Sequence, residues 1–154
     1  MLNDDLGLPL EVAYLTEKTF VILKPETIKN KLVGEVVGRI EKAGFKILAM
    51  KLIKASLDQA EKLYEIHKDK SFYSELINHI TSGPIIPMIV EGKDAVKRMR
   101  MLIGATNPKE AKPGTIRGDL GISITMNIIH AADSYESFLR ESTIFFDEKE
   151  ILKY

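Results

Sequence analysis

Four side chains stand where a packed interior has little use for them. His130 lies in NIIHAADS (127–134), at the seam between the apolar run GISITMNII and a helix-start pattern. Lys24 ends an apolar strand-like run and is followed by Pro25. Arg100 comes just after Met99 and three residues before Ile103, toward the apolar flank of its helix. Arg117 sits among small residues in a stretch rich in Pro and Gly. Taken singly, each cation can snorkel along apolar surface or pair with a nearby carboxylate. Gathered in one cleft, the three make a polyphosphate site, because each hydrogen bond to a charged group contributes roughly 1.5–3 kcal/mol.

Two readings of His130 stay open on spacing. It can be a structural side chain at a strand end. It can also be a nucleophile, since neutral imidazole is abundant near neutrality. Glu141 falls in the following helix, about two turns on, where it can fold back under the strand end. A carboxylate on one ring nitrogen fixes the tautomer and steadies the cation that forms when the other attacks. His67 and His79 lie on helical patterns in charged surroundings and read as structural or surface residues.

Several function classes fall away. The chain has neither GxxxxGK(S/T) nor GxGxxG, which argues against a P-loop kinase or a Rossmann enzyme. A phosphate site must then be built from side chains. Lys and Arg together number 22, as do Asp and Glu, so no global field draws nucleic acid or an anionic membrane. The absence of cysteine excludes disulfides, thiol catalysis and cysteine-based zinc sites. It also fits a reducing cytoplasm, the expected location, or heat, and decides neither. No apolar run is long enough to span a bilayer. MLNDDLGLPLEV carries acids where an export signal needs positive charge.

The elements that must position these residues follow from periodicity. Residues 1–17 read as an N-terminal extension and 18–154 as a single domain. TFVILK (19–24) reads as a buried strand stopped by Pro25. Val33, Val36, Val37 and Ile40 form one helix face, closed by Gly44. FKILAMKLIKA (45–55) is a second strand whose alternation is imperfect, as though covered on both sides. Ser56 with Gln59 makes a capping box ahead of Ala60, Leu63, Tyr64 and His67. Further helices run through 72–80 and from Ala95 to Ile103, with strand IIPMIVEG (85–92) between them. NPKEAKPGTIRGDL (107–120) is a long loop, which in a compact domain is usually functional. GISITMNII (121–129) reads as the fourth strand. Asp133 with Glu136 makes a capping box for a last helix to about Thr143. The order β, α, β, two α, β, α, β, α predicts a ferredoxin-like α+β sandwich. Its four-stranded antiparallel sheet has helices packed on one face. The other face or an edge then needs cover, which oligomerisation supplies.

NIIHAADS closely resembles the NxxH(G/A)SD signature of the nucleoside diphosphate kinases. KTFVILKPE resembles that family's first strand with its Lys-Pro pair. FYSELINHITSGP resembles its nucleotide-flanking helices, and GATNPKEAKPGTIRGD its long loop. The resemblance runs from about residue 18 to 152. It implies a ferredoxin-like fold and a two-step transfer. The γ-phosphate of a nucleoside triphosphate such as ATP goes to His130, then to a nucleoside diphosphate.

The resemblance also implies a set of contacts. The base stacks on Phe72, with Leu76 and Ile124 as neighbours. Lys24 and Asn127 contact the ribose. Arg100, Thr106 and Arg117 hold phosphates. Tyr64 supports the site, and Glu141 stands behind the histidine. A stacked base with few edge contacts explains tolerance of all bases. Magnesium is expected on the phosphates rather than in a protein cage, so no protein metal ligand is expected. Neither nucleic acid nor membrane is an expected partner. The loop with Pro108 resembles the family's trimer contact, which implies a homo-oligomer, a hexamer.

The chain departs from the family pattern at four places. Glu26 follows Lys-Pro where Asp is usual. Ala132 replaces a serine that helps orient the acid, removing a hydrogen bond of about 1 kcal/mol. Met126 replaces a common basic residue. Lys70 and Ser71 stand for Arg-Pro before the stacking aromatic. These bear on rate rather than on reaction type. Two other classes compete with an enzyme: a regulatory paralogue using the fold for partner recognition, and a ferredoxin-like RNA-binding module. The retained Lys24, Arg100, Arg117, Asn127 and His130 argue against the first. Zero net charge and the lack of clustered sheet aromatics argue against the second.

Overall fold

The computed structural model describes residues 16–154. All but the last two residues of the expected N-terminal extension lie outside the described residues. β1 (Thr16–Leu23) is fully buried from Thr19 onward. Pro25 ends it and opens a short helix, α1 (Pro25–Lys29), which the sequence reading passed over. Proline suits that place, because the first helical N–H has no intrahelical partner. Then come α2 (Val33–Lys42), β2 (Lys46–Met50), α3 (Leu57–Leu63), α4 (Tyr73–Ile80), β3 (Ile86–Lys93) and α5 (Ala95–Ile103). The chain closes with α6 (Ile116–Leu120), β4 (Ile129–Ala131) and α7 (Tyr135–Phe145). The strands form one antiparallel sheet in the order β2-β3-β1-β4. Each strand–helix–strand unit skips one position, which makes the fold ferredoxin-like α+β.

The sheet is covered on both faces, not one. Phe20 and Ile22 of β1 join Leu63, Ile80 and Phe138, from α3, α4 and α7. Val21 and Leu23 point the other way and join Val36, Ile40 and Met99, from α2 and α5. Successive strand residues alternate faces, so a strand between two helical layers must be apolar without a break. That is why TFVIL shows no polar interruption.

β2 is shorter than expected, and its irregular pattern has a cause. The register with β3 shifts between Ile47 and Ala49. Leu48 and Ala49, neighbours in sequence, therefore both enter the α3/α4/α7 cluster. A bulge sets two residues against one and breaks alternation in this way. Pairing beyond β2 returns as the Ile53–Ile85 bridge.

Two expectations fail near the site. GISITMNII is not a strand: β4 begins only at Ile129. The amides of Ile122 and Ser123 both turn back to the Met126 carbonyl, and Ser123 Oγ accepts from Met126 N. Ile122, Ile124 and Met126 alternate as in a strand, yet all three are exposed. At the next boundary, the cap of α7 is Ser134, which accepts from Ser137 N at 3.0 Å, not Asp133 with Glu136. Asp133 instead accepts from Ser137 Oγ at 2.7 Å. The helix also runs on to Phe145. The Ser56–Gln59 capping box is present as expected.

Candidate active site

β4 has three residues, and period-two alternation decides what they do. Ile129 and Ala131 enter the α2/α5 cluster. His130 therefore points to the opposite face, where Phe20 and Tyr64 meet its ring edge-on at centroid distances of 6.4 and 6.1 Å. Its Nε2 lies 2.7 Å from Glu141 Oε1. A carboxylate oxygen only accepts, so Nε2 carries the proton and Nδ1 keeps its lone pair. Glu141 is 4% exposed. Its second oxygen accepts from Arg140, whose guanidinium also donates to the Lys62 carbonyl at 3.0 Å. Ala132 offers no hydroxyl here and is packed in the core. Arg140 supplies the second hydrogen bond that the carboxylate would otherwise lack.

Residues 127–129 form a crosspiece between the loop and β4, and the cations are built onto it. Lys24 Nζ donates to Asn127 Oδ1 at 2.9 Å and to the Thr125 carbonyl. Asn127 in turn donates to the Thr106 carbonyl at 2.9 Å. Arg117 is 5% exposed and spends its donors on three carbonyls: Asn127, Gly104 and Ile129, the last at 2.6 Å. α6 exists to hold it there. Thr115 caps that helix by accepting from Gly118 N. Gly104 has φ +92°, and a Cβ on it would strike Thr115 Oγ1 at 2.5 Å, so only glycine fits. Arg100 reaches the Ala131 carbonyl at 3.4 Å.

Lys24 and Arg117 are held as acids stronger than usual. Burial lowers the Lys24 ammonium to about 8, aided by Arg117 and opposed by Glu26. Burial, then Arg100, lowers Arg117 to about 10. Among the described residues, ion pairs join Arg39, Lys51, Lys62, His79, His130 and Arg140 to carboxylates. Lys24, Arg100 and Arg117 are outside that set. Three cations brought together without carboxylate partners form a place for an anion. Tyr64 stays a neutral phenol, raised above its ordinary value by burial and then by Glu141.

All of these face one cavity of about 620 Å³. Every residue expected at the site borders it: Lys24, Tyr64, Phe72, Leu76, Arg100, Thr106, Arg117, Ile124, Asn127, His130 and Glu141. The cavity has two ends. Phe72 (43% exposed) and Ile124 (58% exposed), with Leu76, leave apolar surface open to a flat ligand. The other end holds Arg100, Arg117 and His130.

The sequence reading missed four polar residues on the wall: His67, Glu75, Thr125 and Asp133. His67, taken as structural or surface, packs against Phe72 at 5.5 Å. Burial, then Lys70, lowers its imidazole below the ordinary value. Glu75 stands one turn on from Phe72 and accepts from Thr125 Oγ1 at 3.0 Å. Helical spacing from Tyr64 and Phe72 was the signal that could have found both. Ser137 holds the Asp133 carboxyl below its usual range. Among the described residues, no group of three His, Cys, Asp or Glu could hold a metal ion, and no helix is long and apolar enough to cross a membrane.

A sequence profile described as nucleoside diphosphate kinase matches residues 17–151. The nucleoside diphosphate kinase of Metallosphaera sedula is 56% identical over 136 residues, 88% of this chain and 97% of that one. The enzyme of Kosmotoga olearia is 54% identical over 138 residues, 90% of this chain and 94% of that one. The crystal structure of the Aquifex aeolicus nucleoside diphosphate kinase superposes with a TM-score of 0.87 at 35% identity, covering 89% of this chain and 99% of that one. A halophilic nucleoside diphosphate kinase from Halobacterium salinarum, in complex with CDP, does so with the same score at 39% identity, covering 90% and 92%. A histidine backed by a buried carboxylate, beside a cationic cleft, thus occurs in a chain that belongs to the nucleoside diphosphate kinase family and is an enzyme of the phosphotransferase class.

Proposed function

We propose that the chain moves the γ-phosphate of a nucleoside triphosphate to a nucleoside diphosphate through phosphohistidine at His130. The observation that carries this reading is the 2.7 Å contact between His130 Nε2 and Glu141. With Nε2 committed to the carboxylate, Nδ1 is the nucleophile. Its lone pair attacks the γ-phosphorus, the bond to the bridging oxygen breaks, and the diphosphate leaves. The second half runs the same step backwards onto a new diphosphate. Glu141 keeps the Nε2 proton in place and offsets the positive charge that develops on the ring. Arg100, Arg117 and Lys24 neutralise phosphate charge, the main task in phosphoryl transfer.

The apolar end takes the base. Phe72 offers a face for stacking, flanked by Leu76 and Ile124, and every base has such a face. Lys24 and Asn127 take the ribose, and Thr106 with the arginines takes the phosphates. Broad base tolerance follows. The CDP in the Halobacterium salinarum enzyme supports a pyrimidine diphosphate as one acceptor. Magnesium, when bound, supplies charge neutralisation on the phosphates. The wall fits an ion carried in by the nucleotide: Glu141 is engaged with His130, Glu75 with Thr125 and Asp133 with Ser137, so a carboxylate such as Asp133 would reach the ion only as an outer contact. The chain works in the cytoplasm, with residues 18–154 as its one domain, and assembles as a hexamer. Light scattering on the purified chain tests the assembly.

Incubation with γ-labelled ATP tests the chemistry. The expected product is an acid-labile, base-stable phosphoprotein, and none from His130→Ala. An unlabelled wild type, or a fully labelled His130→Ala, would sink the reading.

A further inference from the structure

Ile128 lies between Asn127 and the strand that carries His130, and its φ is +79°. A β-branched residue seldom adopts that conformation, and it persists only where the surroundings over-determine the backbone. Here residues 24–27 do so. Glu26 Oε2 accepts from Ile128 N at 2.9 Å. Thr27 Oγ1 and Lys24 N both donate to the Ile128 carbonyl, at 2.7 and 2.9 Å. Glu26 is 5% exposed, and its other oxygen meets His79 Nε2 at 2.6 Å. His79 belongs to α4, the helix that also carries Leu76 and opens just after Phe72. Neither Glu26 nor His79 borders the cavity.

A buried carboxylate is costly unless its oxygens are fully bonded, and an apolar pair of the same volume is often as stable. Each oxygen of Glu26 has a partner, and both partners sit beside the walls of the site: Ile128 between Asn127 and Ile129, and His79 on the helix that carries Leu76. We propose that Glu26 is a positioning residue for His130: its carboxylate pins the strained Ile128 turn and, through His79, ties that turn to the helix beside the base slot. This rests on the phosphohistidine reading. The pinned turn also sets the Asn127 and Ile129 carbonyls that receive Arg117. Loss of the pin therefore displaces nucleophile and phosphate ligand together.

The test measures His130 phosphorylation on the full chain by phosphoramidate, a small donor that needs no base slot. Glu26→Ala is expected to slow labelling by at least about tenfold, since ångström-scale misplacement of a reacting group is that costly. Glu26→Gln still accepts from Ile128 N and is expected to recover to within about threefold of wild type, a rescue that loss of charge alone would not allow. Thr27→Val keeps the shape but removes one of two bonds to the Ile128 carbonyl. About threefold slowing with an unchanged melting temperature is expected there, and that variant decides the matter if Glu26→Ala does not fold. Rates for Glu26→Ala and Thr27→Val both within about twofold of wild type overturn the proposal. A wild type that takes no label overturns the kinase chemistry as well, and shows itself in the unmutated chain.

Discussion

Two histidine–carboxylate pairs in this molecule have nearly the same geometry. His130 Nε2 lies 2.7 Å from Glu141 Oε1, and His79 Nε2 lies 2.6 Å from Glu26 Oε1. Both carboxylates are buried, and both rings keep a small exposed fraction. Distance and burial therefore do not separate the proposed nucleophile from a strut. The surroundings do. His130 borders the cavity beside three cations that form no ion pair with a carboxylate among the described residues, and the second oxygen of Glu141 is held by a side chain, Arg140. His79 lies outside the cavity, and the second oxygen of Glu26 is held by a backbone amide. One pair faces a place where charge can develop, and the other faces the backbone that positions the first.

The comparison breaks most sharply at the histidines themselves. In the proposed mechanism His130→Ala removes the group that carries the phosphate, so steady-state transfer is expected to fall by at least about 10³-fold. His79→Phe keeps the ring's bulk and is expected to retain at least about a tenth of wild-type kcat. Coupled assays on the two variants check the ranking. Equal losses would mean that both pairs act in the same way.

Glu141 comes next. Glu141→Gln keeps the shape but no longer fixes the Nε2 proton or offsets the ring's charge, so kcat is expected to fall by about 10- to 100-fold with little change in KM. A larger change in KM than in kcat would place Glu141 in nucleotide binding instead.

The pH profile probes the cationic side of the site. Burial lowers Lys24 to about 8, and under the proposed function its ammonium is the form that binds nucleotide. kcat/KM is therefore expected to fall by about tenfold per pH unit above that value, and Lys24→Met should flatten the limb. The effect on folding has the opposite sign. The folded value is depressed, so a charged Lys24 is a burden that is full below about 8 and is relieved as pH rises toward 10.5, where the unfolded chain also titrates. Binding weakens while this contribution to stability grows, which separates lost affinity from unfolding.

How much of this was readable in the sequence depends on how far apart the partners are. Glu141 follows His130 by eleven residues across a strand end and one helix, and local geometry alone can bring them together. TFVIL declared a buried strand because both faces were filled. Lys24, Arg100 and Arg117 stood out because each conflicted with the pattern of its own segment. Phe72, Leu76, Thr106 and Ile124 did not stand out, and only family resemblance placed them at the site. Glu26 and His79 were unreadable as a pair, since 53 residues separate them and no period links them. GISITMNII misled for a physical reason. Ile122, Ile124 and Met126 alternate as a half-buried strand would, but they lie in an exposed loop, and Ile124 faces the cavity rather than the core.

The smallest expected effect tests the second oxygen of Glu141. Arg140 donates to it at 3.3 Å, a long bond from a guanidinium that is about one-third exposed. Arg140→Ala is therefore expected to slow transfer only about three- to tenfold, the worth of one weakened charged hydrogen bond. Ala132 packs in the core two residues after His130, where the family pattern has serine. Ala132→Ser alone should change little, because Arg140 already serves that oxygen. In the Arg140→Ala background the same hydroxyl should restore most of the lost rate. If the two substitutions add instead of compensating, they do not share a target, and Arg140 acts on the site through its contact with Lys62 rather than through the acid behind His130.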